Sequence, residues 1–361
     1  MNTVVAENQI EQKIFLTFRR KIYSESRRYV DNFYYMLTEI FSGKLSFTKD
    51  LTILPTMITD DEGKILCEGI VAYAPGLPEY IQLCFFESLP GADEAVKELI
   101  MFAEQTGRGK GCERLVIGLY GHVNYGLGFL SSHYEECNSF SSPGNPKYYN
   151  DVFRTLELEE IKLNSYFTHS LDDRLLRYER VIKKLSKEYE FRFFDRKHFK
   201  EEAKIYTDLN NACFPDHRYY YNRPYEDDEE MLKELFLFMG EDSLIYAFHD
   251  GKPVGFILWY PDYNELAKPG EIFGTKHYFK NRLMRKKIKT AKVMEYGVLE
   301  EYRGVGLPLA LIAKAYDAVK SRGLCRVETS WILDENEDSN SFCRIFCDEE
   351  YKEYVVYEKP L

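Results

Sequence analysis

The residues with the clearest chemical potential are Arg303-Gly304-Val305-Gly306, because two glycines one residue apart let a chain turn tightly in front of a helix. They follow an apolar run, Lys292 to Leu299, and precede a stretch from Leu307 to Lys320 whose apolar positions recur at helical spacing. Strand, glycine turn and helix in that order make an anion-binding device. The first N–H groups of such a helix have no intrahelical partner, they converge at the turn, and the helix dipole adds positive potential there. A pyrophosphate can be held by main chain alone, with Arg303 at the rim. Just upstream, Lys276 to Lys292 carries eight Lys or Arg and no acid. That segment reads either as a solvated basic face or as a funnel for an anionic ligand of the neighbouring turn.

A chain of 361 residues suits two domains of ordinary size, and 45% hydrophobic with 30% charged residues supplies packed cores. A net charge of −11 argues against a general nucleic-acid coat. No apolar run reaches membrane-spanning length, and Met1 to Gln9 lacks a basic segment followed by an apolar one, so a soluble, cytoplasmic protein is expected. The eight cysteines are scattered without a C-x-x-C pair, and the seven histidines lack metal-ligand spacing, so no metal is expected.

The elements that must position the turn are legible in the C-terminal half. A strand at 191–194, helices at 200–213 and 227–239, and a hairpin of 244–249 with 254–260 across Asp250-Gly251 come first. The strand at 293–299 and the helix from Leu307 follow, then a strand at 326–332, a short helix at 338–346 and a closing strand at 352–358. The N-terminal half repeats this outline: a strand at 14–18, a helix at 27–41, paired strands at 52–58 and 65–73, a strand at 80–87, a helix at 92–106 and a strand at 115–118. Where the second half has its glycine turn, the first has only Ser88-Leu89-Pro90-Gly91, with no arginine and one glycine. A charged helical stretch, 172–190, connects the halves.

This order, with Arg303 and Gly306 after a strand and Asn336 after the next, resembles the GNAT acetyltransferase superfamily. Its motif there is Gln or Arg, two residues, Gly, one residue, then Gly or Ala; Arg303 and Gly306 fill the first two places and Pro308 stands in the third. Proline has no N–H, so one phosphate donor is missing. Gly118 to Phe129, the Asn145-Pro146-Lys147-Tyr148-Tyr149 turn, Pro261 to Asn264 and Glu328 to Ile332 are further similar to an uncharacterised bacterial tandem-GNAT family. The resemblance implies an α/β fold of mixed sheet with two tandem GNAT-like domains, 1–170 without the cofactor motif and 191–361 with it, joined by a helical connector at 171–190.

It also implies acetyl-CoA or another acyl-CoA as co-substrate and direct transfer to a small-molecule or peptide amine, with no nucleic acid or membrane partner and a homo-oligomer left open. The cofactor would lie along the backbone of Gly297, Val298 and Leu299, its pyrophosphate on Arg303, Gly304, Val305, Gly306 and Leu307, with Asn336 either bonding its amide chain or capping the next helix. Glu295 and Glu328 are the candidate bases. Alternation along a strand expects at most one of Glu295 and Tyr296 to face a cleft. The superfamily's usual acid is a tyrosine seven residues after the asparagine; here that place is Cys343, with Tyr296 and Tyr302 as alternatives. Two other readings stand beside the enzyme: a non-catalytic CoA-binding or interaction module, and an aminoacyl-tRNA-dependent transferase using the basic segment.

Overall fold

Asn8 and Glu11 set the first helix. Asn8 Oδ1 accepts the N–H groups of Ile10 and Glu11, and the Glu11 carboxylate reaches back to those of Glu7 and Asn8, which is a capping box. Helix α1 (Gln9–Ser26) therefore forms where a strand at 14–18 was expected, burying Phe15, Phe18 and Ile22 along one stripe. The computed structural model describes residues 1–26 and 28–361. Of the helix expected over 27–41, Arg27 lies outside the described residues, and α2 occupies only Tyr34–Phe41. Its late start follows from Asp31, whose carboxylate takes two hydrogen bonds from buried Arg19 and one from the Phe33 N–H.

The remaining elements of the first half are β1 (Asn2–Val5), β2 (Thr52–Thr59), β3 (Ile65–Tyr73), β4 (Tyr80–Ser88), α3 (Asp93–Lys110), β5 (Arg114–Ile117), β6 (Phe129–Leu130), α4 (Lys147–Phe153) and β7 (Glu159–Thr168). Two short helices, α5 (Asp172–Arg177) and α6 (Glu179–Glu188), connect the halves. The second half runs β8 (Glu190–Phe193), α7 (Phe199–Cys213), α8 (Tyr225–Leu235), β9 (Leu244–His249), β10 (Lys252–Pro261), α9 (Thr275–Met284), β11 (Thr290–Val298), α10 (Leu307–Ser321), β12 (Arg326–Thr329), β13 (Ile332–Leu333), α11 (Glu337–Phe346) and β14 (Glu349–Pro360). The strand expected over 326–332 is thus broken at Ser330 and Trp331.

The strands form one continuous sheet in the order β1-β2-β3-β4-β5-β14-β7-β12-β11-β10-β9-β8, with β6 on β14 and β13 on β7. The two halves exchange strands in its middle. The last strand of the chain, β14, pairs antiparallel with β5 and β7 of the first half, while β7 pairs with β12 and β13 of the second. Leu163 on β7 faces Tyr354 on one side and Leu333 on the other and is fully buried. No helix among the described residues is long and apolar enough to cross a membrane.

Because the central strands belong to both halves, the halves are expected to unfold together. Leu163→Ala removes buried contacts shared by both, so it should cost about 3 kcal/mol and lower, by the same denaturant increment, transitions followed by one spectroscopic probe in each half. Separate transitions for the two probes would show that the exchanged strands do not couple the halves.

Candidate active site

β11 and β12 run parallel and paired only from Thr290 and Arg326 to Val293 and Thr329. Beyond that point the Ser330 N–H donates to the Val293 carbonyl at 2.8 Å, and the strands part. Glu295 to Val298 keep β10 on one side and lose their partner on the other. The gap is a cleft of about 150 Å³ walled by Val293 to Tyr296 and by Thr329 to Leu333, with Asn336, Ser339 and Cys343 at one end and Asn124 and Tyr125 of the first half at another. Both Glu295 and Tyr296 line it, against the expectation that only one could, because the cleft opens on the strand's edge and meets both faces.

At the end of this edge lies the glycine turn. Gly304 and Gly306 have φ of +78° and +89°, and the N–H groups of Gly304, Val305 and Gly306 donate to no protein acceptor among the described residues. The turn is exposed at Gly304 and Val305, while a Cβ on Gly306 would touch Leu185 and Val181 of α6 at 3.5 and 3.6 Å. Pro308 sits in the first turn of α10. An unpaired strand edge ending in a nest of free N–H groups fits a ligand that carries amides along a chain and a pyrophosphate at its end. Arg303 is also tied into the fold. Its guanidinium donates to the carbonyls of Val298 and Cys213, at 3.2 and 3.0 Å, and so ties β11 to the end of α7.

The first half shows the same parting of strands, then a plug. β4 and β5 pair in parallel only as far as Leu83 and Ile117, and the Gly118 N–H donates to the Leu83 carbonyl at 3.0 Å. Counting from there, Glu295 has Phe85 as its equivalent. Helix α4 then fills the site: the Tyr149 hydroxyl accepts the Ser88 N–H at 3.0 Å, and that of Tyr148 donates to the Ser88 carbonyl at 2.5 Å. The arginine and the second glycine of the other turn have no counterpart in Ser88-Leu89-Pro90-Gly91.

In the open cleft the ionisable centre is Glu295. One carboxylate oxygen accepts the Tyr206 hydroxyl and the other the Asn210 side-chain amide at 3.2 Å; Asn124 of the first half in turn donates to Asn210 at 3.4 Å. Burial raises the Glu295 carboxyl above its ordinary value, against the pull of Tyr206 and Arg223. Sequence reasoning missed Tyr206 and Asn210, although their spacing of four residues on α7 puts them on one helix face. His217 also lines the cleft and is pushed down to about 4 by burial, so it stays neutral near pH 7. The Tyr296 hydroxyl, raised to about 12 by burial, reaches Ser339 Oγ at 3.3 Å. Cys343 does line the cleft, but a hydrogen bond with Cys347 and burial push its thiol well up, which makes it a poor proton donor. Tyr302 packs on Tyr189 and His249 away from the cleft. Asn336 caps α11 by accepting the Ser339 N–H at 3.2 Å, and its side chain stays on the cleft wall.

Two sequence candidates fall elsewhere. Glu328 does not line the cleft: it is buried, its carboxylate accepts the Ser139 hydroxyl at 2.6 Å, and it stands beside Lys292 in register. Lys292, the last residue of the basic segment, is buried with it and donates to Ser142 and to the Phe140 carbonyl. Burial pulls this ammonium down to about 8, opposed by Glu328 and Asp262. The rest of the basic segment forms α9 and the turn after it, at the N-terminal end of β11, whereas the glycine turn is at the other end. A nine-residue strand separates the two, about 26 Å, so the segment does not neighbour the turn. His122 is fully buried in the first half, with its ring between the Asn124 N–H and the Tyr221 carbonyl.

Residues 203–346 match the Acetyltransferase (GNAT) family. Protein YghO of Escherichia coli K12 is 28% identical over 193 residues, and a bacterial ceramide synthase of Caulobacter vibrioides is 25% identical over 178. These matches cover 51% and 47% of this chain and 49% and 46% of the relatives, so the chain spans about half the length of each. Among solved structures, a tandem GNAT protein from the clavulanic acid biosynthesis pathway superimposes with a TM-score of 0.56 at 12% identity, covering 99% of this chain and 98% of that one. A GNAT-family acetyltransferase from Colwellia psychrerythraea gives 0.51 at 10% identity, covering all of both chains. At these identities the structures speak to the fold, a tandem GNAT arrangement.

Asp262 gives the buried charge cluster a pH signature. Burial and nearby Glu328 raise its carboxyl to about 6, while its Oδ1 accepts the N–H groups of Phe140 and Asn264 at 2.8 and 3.1 Å. Between about pH 4 and 6 the folded chain therefore binds more protons than the unfolded one, and this contribution to stability is lost as pH rises through that window. Asp262→Asn keeps the acceptor and removes the titration. Relative to the parent, it should gain up to about 3 kcal/mol between pH 4 and pH 7, measured by urea unfolding; parallel pH curves for the two proteins would refute the shift.

Proposed function

We propose, from the premise that this chain carries a GNAT-family domain within a tandem GNAT fold, that it is a cytoplasmic acyl-CoA-dependent N-acyltransferase acting on an amine. The observation that carries this reading is the strand edge opened beyond Val293 and Thr329, which runs past Glu295 to a glycine turn with free N–H groups. Residues 191–361 would hold the acyl donor, acetyl-CoA being the simplest, along Gly297, Val298 and Leu299 and on Gly304 to Leu307, with Asn336 at the wall. Residues 1–170 would close the acceptor side through Asn124 and Tyr125.

Bound acyl-CoA supplies a thioester and a thiolate leaving group. Glu295 takes one proton from the attacking nitrogen as the N–C bond forms and the C–S bond breaks. Its raised carboxyl suits a base working near neutrality. Tyr206 and Asn210 hold that carboxylate in place, and Tyr296 is the hydroxyl placed to return a proton to sulfur. The relative named a ceramide synthase supports amide formation on an amine nitrogen. A purely structural module would have no use for a half-buried carboxylate in an open cleft. The tRNA reading loses its footing because the basic segment lies at the far end of β11.

Calorimetry should find one CoA site per chain, weakened by Gly306→Val; two equal sites, or none at millimolar CoA, would defeat the assignment. Glu295→Gln should lower kcat about a hundredfold with CoA affinity unchanged. In the parent, activity should fall on the acid side through a pKa above the usual carboxylate range. Tyr206→Phe removes a hydrogen bond that favours the ionised form, so it should move this acid limb to higher pH. An unmoved limb would exclude Glu295 as the base.

A further inference from the structure

The basic segment takes no part in the cleft, and α9 gives it a face of its own. Lys276, Phe279 and Leu283 recur there at i, i+3 and i+7 with Arg282 beside them, and all four are exposed, Phe279 to 59% and Leu283 to 86%. His277, between them in sequence, turns inward and is fully buried. A single exposed apolar residue is ordinary on a protein surface. Here two stand one helical turn apart in the most basic stretch of the chain.

The helix runs on into Arg285, Lys286, Lys287 and, past a buried Ile288, Lys289, all four exposed. No Asp or Glu stands between Ile272 and Met294. Glu271, the nearest acid before the helix, is taken up by Lys276, His277 and Lys280. Arg282 meets the Tyr278 hydroxyl at 3.2 Å, and neither it nor the four cations after the helix has a carboxylate partner among the described residues. The carboxylates of Glu39, Glu230 and Glu234 line a cavity on the Tyr278 side of α9, about 100° around the helix from Phe279.

Unpaired cations on a chain of net charge −11 suit an anionic surface, and a leucine and a phenylalanine exposed among them suit one with an apolar layer beneath its charge. A nucleic acid offers the charge without the layer, since a phosphate backbone gains nothing from Leu283. We infer that the outer face of α9 and the turn after it dock onto an anionic lipid bilayer. Phe279 and Leu283 enter the boundary between headgroups and acyl chains, and Arg282, Arg285, Lys286, Lys287 and Lys289 lie over the headgroup phosphates. This departs from the expectation of no membrane partner, and it is attachment to a surface, not passage through it. It stands independently of the acyltransfer reading.

Sedimentation of the full chain with vesicles, either of phosphatidylcholine alone or of phosphatidylcholine and phosphatidylglycerol in equal parts, provides the test. Binding should require the anionic lipid and weaken as salt is raised. The triple variant Arg285→Gln, Lys286→Gln, Lys287→Gln should lower the partition coefficient on the order of a hundredfold at low salt, and Leu283→Ser about tenfold. All four positions are exposed, so each variant should melt at the temperature of the parent. Tryptophan emission of Leu283→Trp should shift to the blue when the mixed vesicles are added.

Equal binding to both kinds of vesicle, binding to neither, or an emission that does not move would overturn the inference. Transfer RNA binding tighter than vesicle binding, lost in the triple variant and kept in Leu283→Ser, would overturn it in favour of a nucleic acid.

Discussion

The parting of β11 from β12 after Val293 and Thr329 is the constraint on which the site depends. A buried strand edge with unpaired N–H and C=O groups is costly, on the order of 1–3 kcal/mol for each unmet group, so such an edge must meet a ligand, water or another part of the chain. In the second half it borders an open cleft. In the first half Tyr148 and Tyr149 meet it from within. The two halves thus solve one geometric problem twice, once with space for a ligand and once with side chains.

The cleft is held open by the strands at the centre of the sheet. β14 crosses into the first half, β7 crosses into the second, and both lock the sheet at its centre. Around Lys292 a second lock forms: the 137–142 segment of the first half brings Ser139 to Glu328, the Phe140 N–H to Asp262, and Ser142 with the Phe140 carbonyl to Lys292. Removing one partner from such a cluster strands a buried charge. The walls that come from different halves, Asn124 on one and Asn210 on the other, therefore keep a fixed distance.

The glycine turn, the strand before it and α10 were legible in the sequence because each rests on local rules: glycines for positive φ, apolar alternation, and helical periodicity. The capping box at Asn8 was equally local, but the apolar residues of 14–18 outweighed it and suggested a strand. Nonlocal facts were out of reach. Nothing near Glu349 tells that β14 pairs with β5, and nothing near Glu328 tells that Ser139, far away in sequence, closes over it. Glu295 could be proposed as a carboxylate on the right strand. Its partners Tyr206 and Asn210 became visible only when α7 was seen to pack on β11.

Helix α4 has a consequence for how such a chain can change over time. Tyr149 bonds not only Ser88 but also Glu87, at 2.6 Å, and Glu87 is bound to Arg19, which holds Asp31. The plug is therefore wired into the buried charges that fix the start of α2. Losing its tyrosines would orphan a chain of buried polar groups before it opened a slot beside the strand. The tandem is therefore asymmetric: one half keeps an open cleft beside its parted strands, and the other has its own tied to buried charge through Tyr149.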